Sequence, residues 1–439
     1  MAKISVFGIG YVGVVSAACL ARDGHDVIAV DVDSGKIKAI NAGQSPIVEE
    51  GIDELVAEVV KAGKLTATDD FEAAVRDTEV SFVCVGTPSA PDGSVGLSYV
   101  TSVCESIGKA LADKDTYHSV VIRSTIVPGS TEDACIPVLE QTSGKTAGKE
   151  FGVGYFPEFL RESTAIEDNY NPGLIVFGYL DEGTRKVLEG INEKLPCKMH
   201  QVEIKTAEMV KYTSNTWRAV KVTFANEIGN IAKASGIDGQ TVMEILCSDD
   251  KMAMSPYFMR PGFAFGGSCL PKDVRALKYL AGSTGTDHHM LSAVLEANEA
   301  QIAKAEKMVL ASGTKKVGFV GISFKPGTDD LRESPLISLA ARLIGQGIDV
   351  SVYDPFVQEA YDTATPGAGR GNEDVPDLEQ RLVKDLDALI EGSGTVLVGN
   401  HYGETIERLK QAATERPVVD LTRLNREMTS SDTYQGICW

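Results

Sequence analysis

The sequence predicts an α/β protein in which two parallel-sheet domains are joined by a long central helix. Two buried-strand runs, 3–7 and 316–321, each break into a glycine turn. Each is followed by a helix and a second strand that ends on an acid, Asp31 in one case and Asp354 in the other. Between them, residues 203–235 keep a helical pattern with no proline and one interior glycine, Gly229. Strand–helix–strand alternation of this kind builds a parallel sheet with helices over its faces. A length of 439 residues also exceeds what one hydrophobic core organises. The expected division is a first sheet domain at 1–202, a central helical domain at 203–310 and a second sheet domain at 311–439.

Composition narrows the class of function. A hydrophobic fraction of 43% beside a charged fraction of 24% is that of an ordinary soluble globular protein. A net charge of −20 disfavours nucleic acid or an anionic membrane as partner, so an anionic substrate must meet basic groups concentrated locally. The cysteines at 19, 84, 104, 135, 197, 247, 269 and 438 form no CxxC pair and no ordered His/Cys spacing. That argues against a disulfide framework, a structural zinc or any other metal site, and for a reducing cytoplasm. Lys3, the apolar run after it and Ser16-Ala17-Ala18-Cys19 have the look of an export signal, but Gly8, Gly10 and Gly13 interrupt the run. No stretch supplies the roughly 18 uninterrupted apolar residues of a membrane-spanning helix.

The first strand leads into Gly8-Ile9-Gly10-Tyr11-Val12-Gly13 and an Ala-rich helix to about residue 22; residues 26–31 form the second strand. Gly8 makes the tight turn, Gly10 lets a pyrophosphate approach the backbone, and Gly13 permits close helix–strand packing. The helix N-terminus adds partial positive charge. Asp31 suits two ribose hydroxyls and repels a 2′-phosphate, which favours NAD over NADP. This domain is therefore Rossmann-like. Strands at 80–85 and 119–123 then place Thr87 and Thr125 beyond their carboxyl ends, where such sheets bind ligands; capping of turns is the plainer role for both. Glu158 and Glu162 stand four apart in Phe156-Pro157-Glu158-Phe159-Leu160-Arg161-Glu162, with solvation as their default.

On the long helix Lys211, Asn215, Arg218, Val222 and Asn226 share one stripe, facing either water or a polar ligand. A loop at 250–261 follows, with Tyr257, Phe258 and Arg260. Further strands at 349–354, 395–399 and 417–420 and a helix at 335–345 complete a second Rossmann-like sheet. There Ser323 and Pro326 occupy positions where the fingerprint needs glycines, which weighs against a second dinucleotide. Residues 366–376 read as an exposed insertion, and the stretch through Trp439 gives no reading.

The chemistry centres on Phe265-Gly266-Gly267-Ser268-Cys269-Leu270-Pro271-Lys272-Asp273. Two glycines let backbone amides approach a substrate, Lys272 holds the thiol's neighbourhood positive, and Asp273 is placed to activate water. A buried, inert thiol is the alternative. An alcohol dehydrogenase has no need of a thiol. An oxidation that continues to the acid does, because a free aldehyde yields no hydride until a nucleophile adds to it.

The segments FGIGYVG, SPIVEEG, VGTP, RSTIVPG, FPEFLREST, AEMVKYTSNTW, KVTFANEIGNIAK, FGGSCLPKD and SFKPGTDDLRESP resemble, in this order, the UDP-glucose/GDP-mannose dehydrogenase family over essentially the whole chain. YFMRPGFAFGGSCLPKDVRAL and Gly436-Ile437-Cys438-Trp439 are most similar to its bacterial GDP-mannose branch, which serves alginate synthesis. The resemblance implies a four-electron, NAD-dependent oxidation at C6, with UDP-glucose or a UDP-N-acetylhexosamine as the alternative substrate. It implies Cys269 as covalent nucleophile, Lys211 and Asn215 as oxyanion stabilisers, Asp273 in proton transfer, and Glu158 and Thr125 handling water or protons. Tyr11, Val12, Asp31, Lys36, Thr87, Thr125, Lys272 and Arg332 would line the NAD site beside Gly8, Gly10 and Gly13. Glu162, Asn226, Tyr257, Arg260, Phe263, Gly266 and Lys325 would hold the sugar nucleotide, and Lys211, Arg260, Lys272, Lys325 and Arg332 would supply a local positive field. The family also implies a homodimer or higher oligomer built on the long helix, with the 257–260 loop serving a neighbouring subunit. Arg218 and Phe258 depart from the branch, which usually carries histidine and tyrosine there; Arg218 either pairs with phosphate or is solvated.

Overall fold

The computed structural model describes residues 1–249, 258–285, 287–363 and 371–439. The chain forms two compact units, Met1–Ser214 and Asn215–Trp439. The long helix, Ile204–Ala234, begins and ends within a residue or so of its expected bounds, and the division between the units falls inside it.

The first unit contains β1 (Lys3–Phe7), β2 (Asp26–Val30), β3 (Leu65–Thr68), β4 (Val80–Val83), β5 (Ser119–Ile122), β6 (Gly152–Tyr155), β7 (Ile175–Tyr179) and β8 (Met199–Val202). They form one sheet in the order β3-β2-β1-β4-β5-β6-β7-β8, parallel except where β7 runs antiparallel to β6. The four expected strands are present. β3, β6, β7 and β8 were not legible: β6 is Gly-Val-Gly-Tyr, too glycine-rich to read as a strand, and β8 is a partly exposed edge. Side-chain alternation divides the interior between the two faces. Val121 and Phe82 pack with Val6 in one cluster, whereas Val120, Ile122 and Val83 pack with Phe7 in the other.

Strand order reverses between β1 and β4, so a crevice opens beyond their carboxyl ends. Gly8 there has φ +100°, and a Cβ on Gly13 would stand 1.8 Å from the Gly8 carbonyl oxygen. Helix Tyr11–Arg22 can lie this close to the strand only with glycine at 13. A Cβ on Gly10 would meet nothing within 4 Å, which is the open approach a pyrophosphate requires.

The second unit contains helices Leu270–Ser283 and His289–Ala311 and a five-stranded, all-parallel sheet. Its strands are β9 (Lys316–Val320), β10 (Asp349–Tyr353), β11 (Thr395–Val398), β12 (Val418–Asp420) and β13 (Tyr434–Gly436), in the order β10-β9-β11-β12-β13. Helix Pro335–Gly345 has its expected bounds. Two readings change here. The stretch through Trp439, which carries no strand signal, supplies β13. Of the expected insertion, 366–370 lie outside the described residues, and Val375 is buried in the core. Among the described residues no helix is long and apolar enough to cross a membrane.

Candidate active site

In the first unit the crevice is held by hydrogen bonds from its own loops. Gly8 N–H donates to the Val30 carbonyl at 2.7 Å. Asp31 Oδ2 accepts from Ile9 N–H at 2.6 Å, its Oδ1 accepts from Asp33 N–H at 2.9 Å, and the Lys36 ammonium stands 3.6 Å away. The carboxylate expected to meet a ribose is thus fixed against the glycine turn. The first turn of helix Tyr11–Arg22 carries no acid of its own to offset the partial positive charge there. These residues fit a dinucleotide: an open glycine approach, a helix N-terminus and an anchored acid.

Tyr11 and Thr87 each bond a protein partner as well. The Tyr11 hydroxyl donates to Glu49, which also accepts from Ser163 N–H at 2.7 Å and Ala165 N–H at 2.8 Å. Burial, reinforced by that bond, pushes the phenol well above its usual range. Glu49, in SPIVEEG, therefore ties the glycine turn to the end of FPEFLREST. Thr87 Oγ1 donates to the Thr125 carbonyl at 2.8 Å, so its hydroxyl proton joins two loops. Val12 and Thr125 are half-buried at the crevice.

Glu158 and Lys211 are both buried, and solvation is excluded for each. Lys211 Nζ donates to the Glu158 carbonyl at 2.5 Å and to its Oε1 at 2.9 Å, while Leu160 N–H donates to the other carboxylate oxygen at 2.7 Å. Burial alone would raise the Glu158 pKa. The Lys211 charge and hydrogen bond, the Arg123 charge and the Leu160 amide outweigh it and hold the value below the usual range. One turn before Lys211, Glu208 accepts from Gly129 N–H, Thr131 N–H and Thr131 Oγ1 at 2.6, 3.0 and 2.6 Å. It anchors the loop that follows Thr125. Sequence reasoning missed Glu208, although its i, i+3 spacing from Lys211 puts both on one helix face. Glu162 is half-buried nearby in sequence.

In the second unit Cys269 is exposed and stands at the N-terminal boundary of helix Leu270–Ser283, with Pro271 in the first turn. Asp273 is buried. Its Oδ2 accepts from Asn215 Nδ2 at 2.6 Å and its Oδ1 from Lys272 Nζ at 2.7 Å, and its own N–H donates to the Cys269 carbonyl. The thiol is therefore one helical turn from an acid aimed by two donors.

The glycines before it also have a packing role. A Cβ on Gly266 would lie 2.4 Å from Pro335 Cδ, and one on Gly267 (φ +85°) 2.8 Å from the Phe324 ring. Gly267 N–H donates to the Glu333 carbonyl at 3.3 Å. Both glycines thus let the cysteine loop lie directly on SFKPGTDDLRESP.

Asn226 also serves the protein, accepting from Gly262 N–H at 2.8 Å and donating to the Phe263 carbonyl at 3.1 Å. Arg218 and Lys221 both stand over the Phe258 ring, at 5.7 and 5.6 Å from its centre, and Phe258 has φ +65°. Arg260 is exposed, Phe263 and Lys325 are half-buried, and Tyr257 lies outside the described residues. Arg332 forms a two-pronged pair with Asp330. The expected positive field is accordingly weaker than a count of cations suggests, since Lys211, Lys272 and Arg332 each face a carboxylate.

Three family models match the chain: the UDP-glucose/GDP-mannose dehydrogenase family NAD binding domain at 2–196, central domain at 205–300 and UDP binding domain at 318–426. A GDP-mannose 6-dehydrogenase of Pseudomonas syringae pv. tomato is 48% identical over 444 residues, covering 100% of both chains. A GDP-mannose dehydrogenase ternary complex from Pseudomonas aeruginosa is similar at 46% identity and TM-score 0.58, with 100% of each chain covered. A UDP-glucose dehydrogenase from the archaeon Pyrobaculum islandicum shares 33% identity at TM-score 0.89, covering 100% of this chain and 98% of its own.

Proposed function

The chain belongs to the UDP-glucose/GDP-mannose dehydrogenase family, and on that premise we propose that it oxidises C6 of GDP-mannose to the carboxylate in two NAD-dependent steps through a covalent Cys269 adduct. The family's NAD binding domain makes it a nicotinamide-dependent oxidoreductase. The observation that carries the four-electron reading is the exposed thiol at a helix start, one turn from the buried Asp273.

NAD supplies a hydride acceptor. Lys211, buried beside Glu158, donates to oxygen as negative charge develops on it, where a low dielectric makes the donation strong. The helix N-terminus favours negative charge on the Cys269 sulfur. That sulfur bonds to the aldehyde carbon, giving a thiohemiacetal whose carbon can lose a second hydride. Asn215 steadies the oxyanion and also aims Asp273. Asp273 takes a proton from water as its oxygen attacks the resulting thioester. The C–S bond breaks, the thiol is restored and the acid leaves.

Glu158 and Thr125 position water in this scheme. Glu162, Arg260, Phe263 and Lys325 hold the sugar nucleotide. We place the reaction in the cytoplasm, with the product destined for a polyuronate such as alginate. A homodimer or higher oligomer is part of the proposal: Trp217 and Phe224, seven apart on the long helix, are exposed, as is Ile245.

The deciding measurement is NADH formed per sugar nucleotide across a panel of GDP- and UDP-sugars. Two NADH per GDP-mannose is expected; one, with aldehyde accumulating, would sink the covalent mechanism.

A further inference from the structure

The 434–439 segment, which gives no secondary-structure signal as sequence, is bound into the second unit by more than its strand. Lys233 on the long helix reaches the Gly436 carbonyl, and Lys304 on helix His289–Ala311 donates to the Ile437 carbonyl at 2.6 Å. Burial lowers the pKa of both lysines. Apolar side chains would seat a strand without that cost, so these cations are placed to hold main chain in register. Between them the buried Cys438 thiol stands 3.6 Å from Gln301 Nε2.

Gln301 faces in two directions. The same Nε2 donates to the Gly262 carbonyl at 2.5 Å, and its Oε1 accepts from Asn230 at 3.0 Å. Gly262 begins the stretch in which Asn226 binds the Gly262 N–H and Phe263 carbonyl, and Asn298 binds both backbone groups of Phe265 at 2.9 Å. Three carboxamides on two helices therefore fix the backbone just beyond Arg260. Gly229 adds a steric stop: a Cβ there would lie 2.4 Å from Pro261 Cβ and 3.0 Å from Cys438 Cβ. The segment and the loop thus share one notch in the long helix.

We infer that the 436–439 segment is a working part of the substrate site, with Gln301 and Lys304 as positioning residues that set the register in which the 258–265 loop presents Arg260 and Phe263. The inference rests on the proposal that this loop holds the sugar nucleotide. Neither Gln301 nor Lys304 touches substrate; each acts through the main chain it holds.

The test uses the full-length variants Gln301→Met, Lys304→Met and their double. Three quantities are read: KM for the sugar nucleotide that the wild type oxidises, Kd for NAD by fluorescence quenching, and hydrogen exchange of the 258–265 peptide. Each single variant is expected to raise the sugar-nucleotide KM roughly ten-fold, the loss of about one well-made hydrogen bond. NAD affinity should be unchanged, and exchange in 258–265 should quicken. The double variant should be little worse than the poorer single one, because both residues act along one path. An unchanged KM, or NAD and sugar-nucleotide binding weakened in parallel, overturns the inference. If the wild type oxidises no sugar nucleotide, the functional proposal fails separately. Exchange then decides the positioning role, and unchanged exchange in 258–265 overturns it.

Discussion

Cys269 differs from the other seven cysteines in being exposed; Cys19, Cys84, Cys104, Cys135 and Cys438 are buried, and burial pushes Cys84 up to about 12. Brief alkylation of the native protein, read by peptide mass spectrometry, should therefore label Cys269 first, with activity falling in step. Early labelling of Cys84 would contradict this. His118 offers a second test. It is buried against Ser81 and the Thr78 carbonyl, and burial, helped by the Lys114 charge, lowers its pKa to about 3 from 6.5. Between those values the unfolded chain binds the extra proton. Stability is thus complete above about pH 6.5 and is lost towards pH 3, at up to about 1.4 kcal/mol per pH unit. His118→Asn should flatten the fall of Tm with acid, and an unchanged slope would refute the assignment. The thiol, Asp273 and Lys211 were legible because their side-chain types carry chemistry. Glu49 and Glu208 were not, because an isolated carboxylate defaults to solvent. Their partners lie 114 and 77 residues away in sequence.

Helix Ile204–Ala234 shows where element-scale reading succeeds and fails. Its bounds follow from periodicity and absent proline, but the role of its glycine does not. Gly229→Ala should improve helix propensity by about 1 kcal/mol, yet the new Cβ meets the rigid Pro261 ring at 2.4 Å. Overpacking of this kind costs about 1–3 kcal/mol, so a net loss of about 1 kcal/mol and a lower Tm are expected from thermal unfolding. A raised Tm would show that the notch has slack. Of the two faces open to the polar stripe, the water-facing one is excluded for Lys211, Asn215 and Asn226: each is buried and bonded to a protein partner. Strands β6 and β13 escaped notice because their residues are glycine-rich or mixed, and only neighbouring strands make them strands.

The chain carries a net charge of −20 while Lys211 and Lys272 are each paired with a carboxylate, and this has a kinetic consequence. The protein's field should repel an anionic sugar nucleotide at low ionic strength. Salt up to about 0.15 M, where the Debye length is about 8 Å, should then lower the apparent KM. A KM that rises steadily with salt would mean that local cations dominate after all. Both sheets were visible in the sequence, whereas the division of the chain inside a continuous helix was not, because no change of composition marks it. The second sheet repeats one hydrogen bond of the first: Asp354 Oδ2 accepts from Ile322 and Ser323 N–H as Asp31 accepts from Ile9. There, however, Asn400 fills the turn, bonded to the Ser323 carbonyl at 2.8 Å, and its Cβ would stand 2.3 Å from a Cβ on Gly321. A protein engineer seeking a second cofactor crevice would have to evict that amide before grafting any glycines, and would then need a new donor for the carbonyl it leaves behind.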